Sequence, residues 1–395
     1  MFADRTAWNL KKNRYTEELE RARASGATLL DLTASNPTTC GFQFRDERIL
    51  QALRNPEALT YRPEPRGLLS ARQAVCNYYA EGSPEKRLPQ FSPEQVFLTT
   101  GTSEAYSFLF RLLCNPGDQV LIPRPSYPLF DFLADIQDVK LAAYPLQYDH
   151  GWHIDFSALQ SLIMRQTRAV MVVHPNNPTG SFASPIEMRK LSELCAEHNV
   201  ALIADEVFLD YTLTHQRVES FAFSSDCVIF ALSGLSKISC LPQMKVGWIA
   251  VNGPHEFRKE AEERLEVIAD TYLSMNAPLQ LALPALLEER KHIQAQLCVR
   301  IQRNLAVLDR AIANQNLVSR LELQGGWYAV LRVPATCSDE ELAIEMIRQY
   351  DLVLHPGHFY DFPGDGYLVV SLITPEDQFS EGIARLLRFY AQGSH

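Results

Sequence analysis

The chain has 395 residues, more than a single small core needs, so a large and a small domain are expected. Hydrophobic residues make up 46% and charged residues 21%, the balance of an ordinary globular protein. The net charge of −10 argues against a surface that gathers nucleic-acid phosphates, while leaving room for a small basic pocket.

The N-terminal stretch is charged and periodic, with no apolar h-region, and residues 9–25 read as a polar helix. Ser35-Asn36-Pro37-Thr38 reads as a turn, because the residue before a proline avoids the α region. Short Val- and Ile-rich runs then alternate with helical stretches. The spacing predicts strands at 96–100, 119–123, 139–144, 169–173, 200–204, 228–232 and 246–251. Helices are predicted at 103–113 and 185–198. The second carries Ser184 at the N-cap, Pro185 at the first helical position and Glu187 at the third, a capping box. Residues 255–272 and 278–313 read as long helices, leading into strands at 328–333, 353–354 and 368–372.

This alternation predicts an α/β fold, with a mostly parallel seven-stranded sheet flanked by helices and a smaller α+β domain. Residues 45–280 form the expected large domain, and 1–44 together with 281–395 the small one. No apolar run reaches membrane-spanning length. Eight scattered cysteines without a CxxC pair read as buried thiols in a reducing compartment, which makes a cytoplasmic location the expectation.

Four segments at predicted strand ends carry candidate chemistry. In Ser233-Gly234-Leu235-Ser236-Lys237 a lysine stands just past an apolar strand, where its charge is costly unless used. A solvent-exposed loop lysine is the plainer alternative. Asp205 closes the run Val200–Ala204, either as a helix N-cap or as the partner of a buried cation. His174-Pro175-Asn176-Asn177-Pro178-Thr179-Gly180 has the composition of a turn. Thr99-Thr100-Gly101-Thr102-Ser103 joins a strand to a helix start, where free N–H groups suit a phosphate.

Taken together and in order, these segments resemble the fold-type I pyridoxal-phosphate (PLP) enzymes, specifically the class I/II aminotransferases, over roughly residues 30–380. Asn177 and Asp205 lie 28 residues apart, and Asp205 and Lys237 lie 32 apart. The resemblance implies pyridoxal 5'-phosphate as cofactor. Lys237 would form the Schiff base and shuttle the proton, with Asp205 beside the pyridine nitrogen. Asn177 would donate to the ring's phenolic oxygen, and Tyr127 would stack on the ring. Gly101, Thr102, Ser103, Ser236 and Lys245 would hold the phosphate. Tyr61 matches a tyrosine that reaches the phosphate of a second subunit, which implies a homodimer. Asn36 lies on the segment that covers the substrate, and Asn177 is shared with it. Pro356, Gly357 and Phe359 resemble the small-lobe turn near the site.

Three positions depart from the family. Phe208 stands where many members have a tyrosine, so it donates no hydrogen bond. Lys245 replaces an arginine and keeps the charge without the bidentate fork. Near Val369 the arginine that grips the substrate carboxylate is missing. Arg14, Arg62, Arg66 and Arg332 are conceivable substitutes, each also readable as an ordinary surface or strand-end residue.

The implied reaction moves an amino group from an amino acid or amine to a 2-oxo acid. A PLP-dependent lyase, decarboxylase or cyclising synthase needs the same lysine and aspartate. A non-catalytic PLP-binding protein is a third reading, against which Lys237 argues. No GxGxxG follows a strand, and there is no GxSxG, HExxH or basic patch, so nicotinamide, hydrolase, metal and nucleic-acid functions fit poorly. His355 and His358 flank a Pro-Gly turn and read as structural or near-site residues. Tyr106, Phe130, Trp327, Tyr328, Phe359 and Tyr360 line an apolar pocket or fill core.

Overall fold

A computed structural model describes residues 1–82, 92–128, 130–214 and 218–392. Eight strands form the larger sheet, in the spatial order Val96–Thr99, Gly247–Asn252, Ile229–Gly234, Ala201–Asp205, Thr167–Val173, Gln119–Arg124, Lys140–Tyr148 and Trp152–Ile154. The five from Ile229–Gly234 to Lys140–Tyr148 are paired in parallel. Gly247–Asn252 runs against both its neighbours, so Val96–Thr99 points the same way as the parallel five.

The seven expected strands are therefore present, and the sheet has one more. Trp152–Ile154 adds an antiparallel edge against Leu146–Tyr148. Three residues are too few for a period-2 pattern to register, which is why the sequence shows no strand there.

Alternate side chains of the central strands enter opposite cores. Val120 and Ile122 pack under the helices Thr102–Leu113 and His255–Thr271, with Leu109 and Leu265. Leu121 packs on the other face with Leu191 and Cys195 of the helix Pro185–His198. Both faces are covered, which explains the continuous apolar runs. The capping box at Ser184 is formed: its hydroxyl accepts from the Glu187 N–H, and Glu187 accepts from the Ser184 N–H at 2.8 Å. The N-terminal helix starts at Arg14, later than residue 9, because the Asn13 side chain accepts from the Thr16 N–H and ends the helix there.

A second, antiparallel sheet orders Ser319–Arg320, Tyr328–Arg332, Tyr367–Ser371 and His355–Pro356. Leu30–Asp31 pairs separately with Leu352–Val353. The helix Ala277–Ile312 spans both parts. Leu283, Leu286 and Leu287 pack with Trp248, whereas Ile293, Leu297 and Ile301 pack in the cluster that holds Trp327. No helix of the described residues is long and apolar enough to cross a membrane.

Candidate active site

Strand direction decides where the candidate side chains meet. Val96–Thr99, Gln119–Arg124, Thr167–Val173, Ala201–Asp205 and Ile229–Gly234 all end at the same edge of the sheet. Thr102, Tyr127, Asn177, Asp205, Ser236 and Lys237 follow those ends, and all six line one cavity of about 350 Å³. That is the position expected of a binding site in an α/β sheet. His355, Tyr360 and Tyr328 of the smaller part close its other side, with Ser35.

Asp205 is 7% exposed. Its Oδ2 accepts from the Tyr106 hydroxyl at 2.6 Å and its Oδ1 from the Val207 N–H at 3.1 Å. Burial pushes the carboxyl above the usual range, opposed by the Tyr106 and Val207 hydrogen bonds and by the charge of Lys237. No helix follows the strand, so the N-cap alternative is set aside.

The Lys237 ammonium has no hydrogen-bond or ion-pair partner among the described residues. It faces the rings of Trp327 at 5.0 Å and Phe208 at 5.4 Å. Burial lowers its pKa, with partial opposition from Cys240 and Asp205. The Tyr211 hydroxyl donates to the Lys237 carbonyl at 2.7 Å and fixes the backbone at this turn. A lysine so desolvated is shifted toward the free amine, the nucleophilic form.

Asn177 is 9% exposed, and its Oδ1 is buried with no hydrogen-bond partner among the described residues. The adjacent Asn176 shapes the turn, donating to the Pro125 carbonyl at 3.0 Å and to Thr179 at 2.9 Å. Gly101 caps the helix Thr102–Leu113 without a side chain, at φ +142°. A Cβ on Gly247 would come within 2.9 Å of the Gly101 backbone, so glycine there lets the helix start lie on the sheet. The first N–H groups of that helix stay open toward the site.

Other expected residues do not line the cavity. Ser103 is exposed one position along the helix. Lys245 is exposed at φ +51°, after the turn Pro242–Met244. Asn36 caps the turn Pro37–Thr39, accepting from Thr38, while its neighbour Ser35 reaches the cavity wall. Tyr61 is 74% exposed and away from this cavity. The conceivable arginine substitutes are also elsewhere. Arg14 faces Glu341, Arg62 faces Glu57, Arg66 is paired with Glu266, and Arg332 lies 4.4 Å over the Tyr367 ring. Val369 is fully buried.

Residues 27–386 match the family described as aminotransferase class I and II. The chain belongs to that family. It is 30% identical to the alanine aminotransferase of Mycobacterium bovis, over 93% of this chain and 87% of the relative. The glutamate-pyruvate aminotransferase AlaA of Haemophilus influenzae is 27% identical, over 94% and 93%. The fold matches the alanine aminotransferase from Pyrococcus furiosus with a TM-score of 0.87, covering all of both chains at 21% identity.

Class I and II aminotransferases depend on pyridoxal phosphate, and this chain is accordingly a PLP-dependent aminotransferase. The side chains fit that cofactor. An unpaired buried amine, an orphaned amide oxygen, a buried carboxylate and an open helix start surround one cavity. The Tyr106 contact to Asp205 escaped the sequence reading, because the two residues lie 99 positions apart.

Glu206, beside Asp205, is 1% exposed. It accepts from the Ser220 hydroxyl at 2.6 Å and the Phe221 N–H at 2.7 Å. Burial nevertheless pushes its carboxyl up to about 8, aided by Asp205 and Asp210. The folded state thus keeps a proton that the unfolded chain releases near pH 4.5. Between that pH and about 8 stability falls as pH rises, by up to about 1.4 kcal/mol per unit. The melting temperature is expected to drop from pH 6 to pH 8 in the wild type and to flatten in Glu206→Gln. Parallel curves for the two proteins would refute this.

Proposed function

We propose that this aminotransferase works through Lys237 as the cofactor-linking and proton-shuttling amine, with Asp205 holding charge opposite the ring nitrogen. The observation that carries the reading is the buried, unpaired Lys237 amine on one cavity wall with Asp205. Bound pyridoxal phosphate supplies an electron-withdrawing ring that stabilises negative charge on the carbon next to the transferred nitrogen.

The chain's own groups do the rest. Lys237 Nζ would take a proton from that carbon and return it at the cofactor carbon on the other side of the transferred nitrogen. Asp205, kept in place by Tyr106 and the Val207 N–H, is the acceptor and counter-charge for a protonated nitrogen. Asn177 would donate to the ring's phenolic oxygen, and Tyr127 would stack on the ring. Gly101, Thr102 and Ser236 would hold the phosphate, with the helix start as its centre, and Ser103 and Lys245, exposed next in the chain to the cavity-lining Thr102 and Val246, would approach it from outside the cavity. Asn36 belongs to the segment over the substrate. An amino donor leaves as its oxo product, and a 2-oxo acid leaves as the new amino acid.

Residues 45–280 as the large domain and 1–44 with 281–395 as the small one belong to the same proposal, supported by the second sheet, whose four strands all lie between Ser319 and Ser371. So does a homodimer, supported by the exposed Leu59, Tyr61 and Leu69. A cytoplasmic location is supported by eight free thiols.

The test is an absorbance spectrum of the PLP-loaded protein, titrated with amino acids and amines. One donor is expected to bleach the cofactor band, and pyruvate or another 2-oxo acid to restore it with formation of the matching amino acid. A band that stays unchanged through the whole panel, with no amino acid formed, counts against transamination.

A further inference from the structure

A 2-oxo acid brings a carboxylate into this site, and something must receive it. Of the residues lining the cavity, only Lys237 and His355 can carry a positive charge, and none is arginine. In the reading above, on which this inference rests, Lys237 is engaged with the cofactor. We propose that His355 is a specificity-determining residue: its Nε2–H receives the substrate carboxylate, and Tyr360 holds the ring in the tautomer that makes this possible.

Three observations support the assignment. The first is position. His355 belongs to the short strand His355–Pro356, and its cross-strand partner is Val369 on Tyr367–Ser371. Val369 is buried and apolar, so at this point of the small sheet the polar group facing the cavity comes from the neighbouring strand.

The second is orientation. His355 Nδ1 lies 3.0 Å from the Tyr360 hydroxyl, and both residues line the cavity. Burial pushes the Tyr360 hydroxyl far above its ordinary range, so it stays protonated and can donate. With Nδ1 accepting, the ring proton sits on Nε2. Nε2 has no hydrogen-bond partner among the described residues. The ring is held further by Phe359 at 5.8 Å, itself packed edge-on by Tyr15 at 5.3 Å. Tyr15 in turn donates to the Leu354 carbonyl at 3.1 Å.

The third is charge. Burial lowers the His355 pKa to about 4, with Asp31 pulling the other way. The ring is therefore neutral at neutral pH and needs no counter-ion in the empty pocket. A hydrogen bond from a neutral donor to an ionised acceptor is still among the strong ones, so recognition does not need a guanidinium.

The test uses the PLP-loaded protein and two non-reactive probes of equal shape, 3-phenylpropanoate and 3-phenylpropanamide, titrated by calorimetry. The wild type is expected to prefer the acid. His355→Phe keeps a ring but deletes the donor, and should weaken the acid by about tenfold or more while leaving the amide within about twofold. His355→Gln, which keeps an N–H donor, should retain most of the preference, and Tyr360→Phe should lose part of it. In turnover, His355→Phe should raise KM for pyruvate by a similar factor with little change in kcat.

Equal weakening of acid and amide in His355→Phe would make the residue merely structural and overturn the proposal, as would an unchanged acid preference. Acid preference that depends on His355, in a wild type that exchanges no amino group, would refute transamination and uphold this assignment.

Discussion

Lys237→Ala is expected to lower kcat by about a thousandfold or more, since it removes the group proposed to move the proton. It also removes the amine proposed to anchor the cofactor. Borohydride reduction of wild-type protein should therefore fix an adduct of cofactor mass on the peptide containing Lys237, and the variant should carry none. The effect is expected to be local. Among the described residues Nζ has no hydrogen-bond or ion-pair partner and faces the rings of Trp327 and Phe208, and the turn is held through the Lys237 carbonyl by Tyr211, which the substitution keeps. An adduct on any other lysine, or a variant with substantial turnover, would remove Lys237 from the centre of the reaction.

Asp205→Asn should separate stability from activity. Without a cationic partner the buried carboxylate is penalised, as its raised pKa shows, and the amide is spared that penalty. Since the folded pKa lies above the ordinary value, this group's stabilising contribution is full at low pH and lost as pH rises. The cofactor-free variant should consequently melt at the same temperature as wild type or higher at pH 8. Loaded with cofactor it should lose about a hundredfold to a thousandfold in kcat, because the amide no longer supplies charge opposite the ring nitrogen. The fall should appear in kcat with little change in KM for the 2-oxo acid. A variant that loses folding and activity together would mean that Asp205 is chiefly structural, held for its hydrogen bonds to Tyr106 and the Val207 N–H.

The carboxylate side of the pocket differs in kind from the cofactor side. The cofactor residues are presented by strand ends of one rigid sheet. The carboxylate residues arise from a turn and a two-residue strand in the smaller part, joined to the large sheet's loops by contacts such as the Ser126 N–H to the Tyr360 carbonyl at 3.0 Å. Substrate choice can therefore vary without disturbing Lys237 or Asp205, the arrangement that lets one fold serve many substrates.

Much of this was legible in the linear chain, because local physics dictates it. Continuous apolar runs bounded by turn residues marked the parallel strands. Ser184 and Glu187 marked a helix start, and Asn177, Asp205 and Lys237 stood out as polar residues placed just where buried strands end. Strand direction then brings such residues together almost automatically. The edge strand Trp152–Ile154 was not legible, since three residues are too few to show an alternating pattern, and neither was the helix start set by Asn13.

The sequence alone determined the α/β order and the family, and it singled out Asn177, Asp205 and Lys237, which the structure gathers round one cavity, because each rests on short-range pattern and spacing. Only the tertiary structure decided that Tyr106 steadies Asp205, that four candidate arginines point elsewhere, and that His355 stands across from Val369 with Nε2 free. Those are contacts between residues distant along the chain, and no local preference encodes which side chain will face which across a sheet or a cavity.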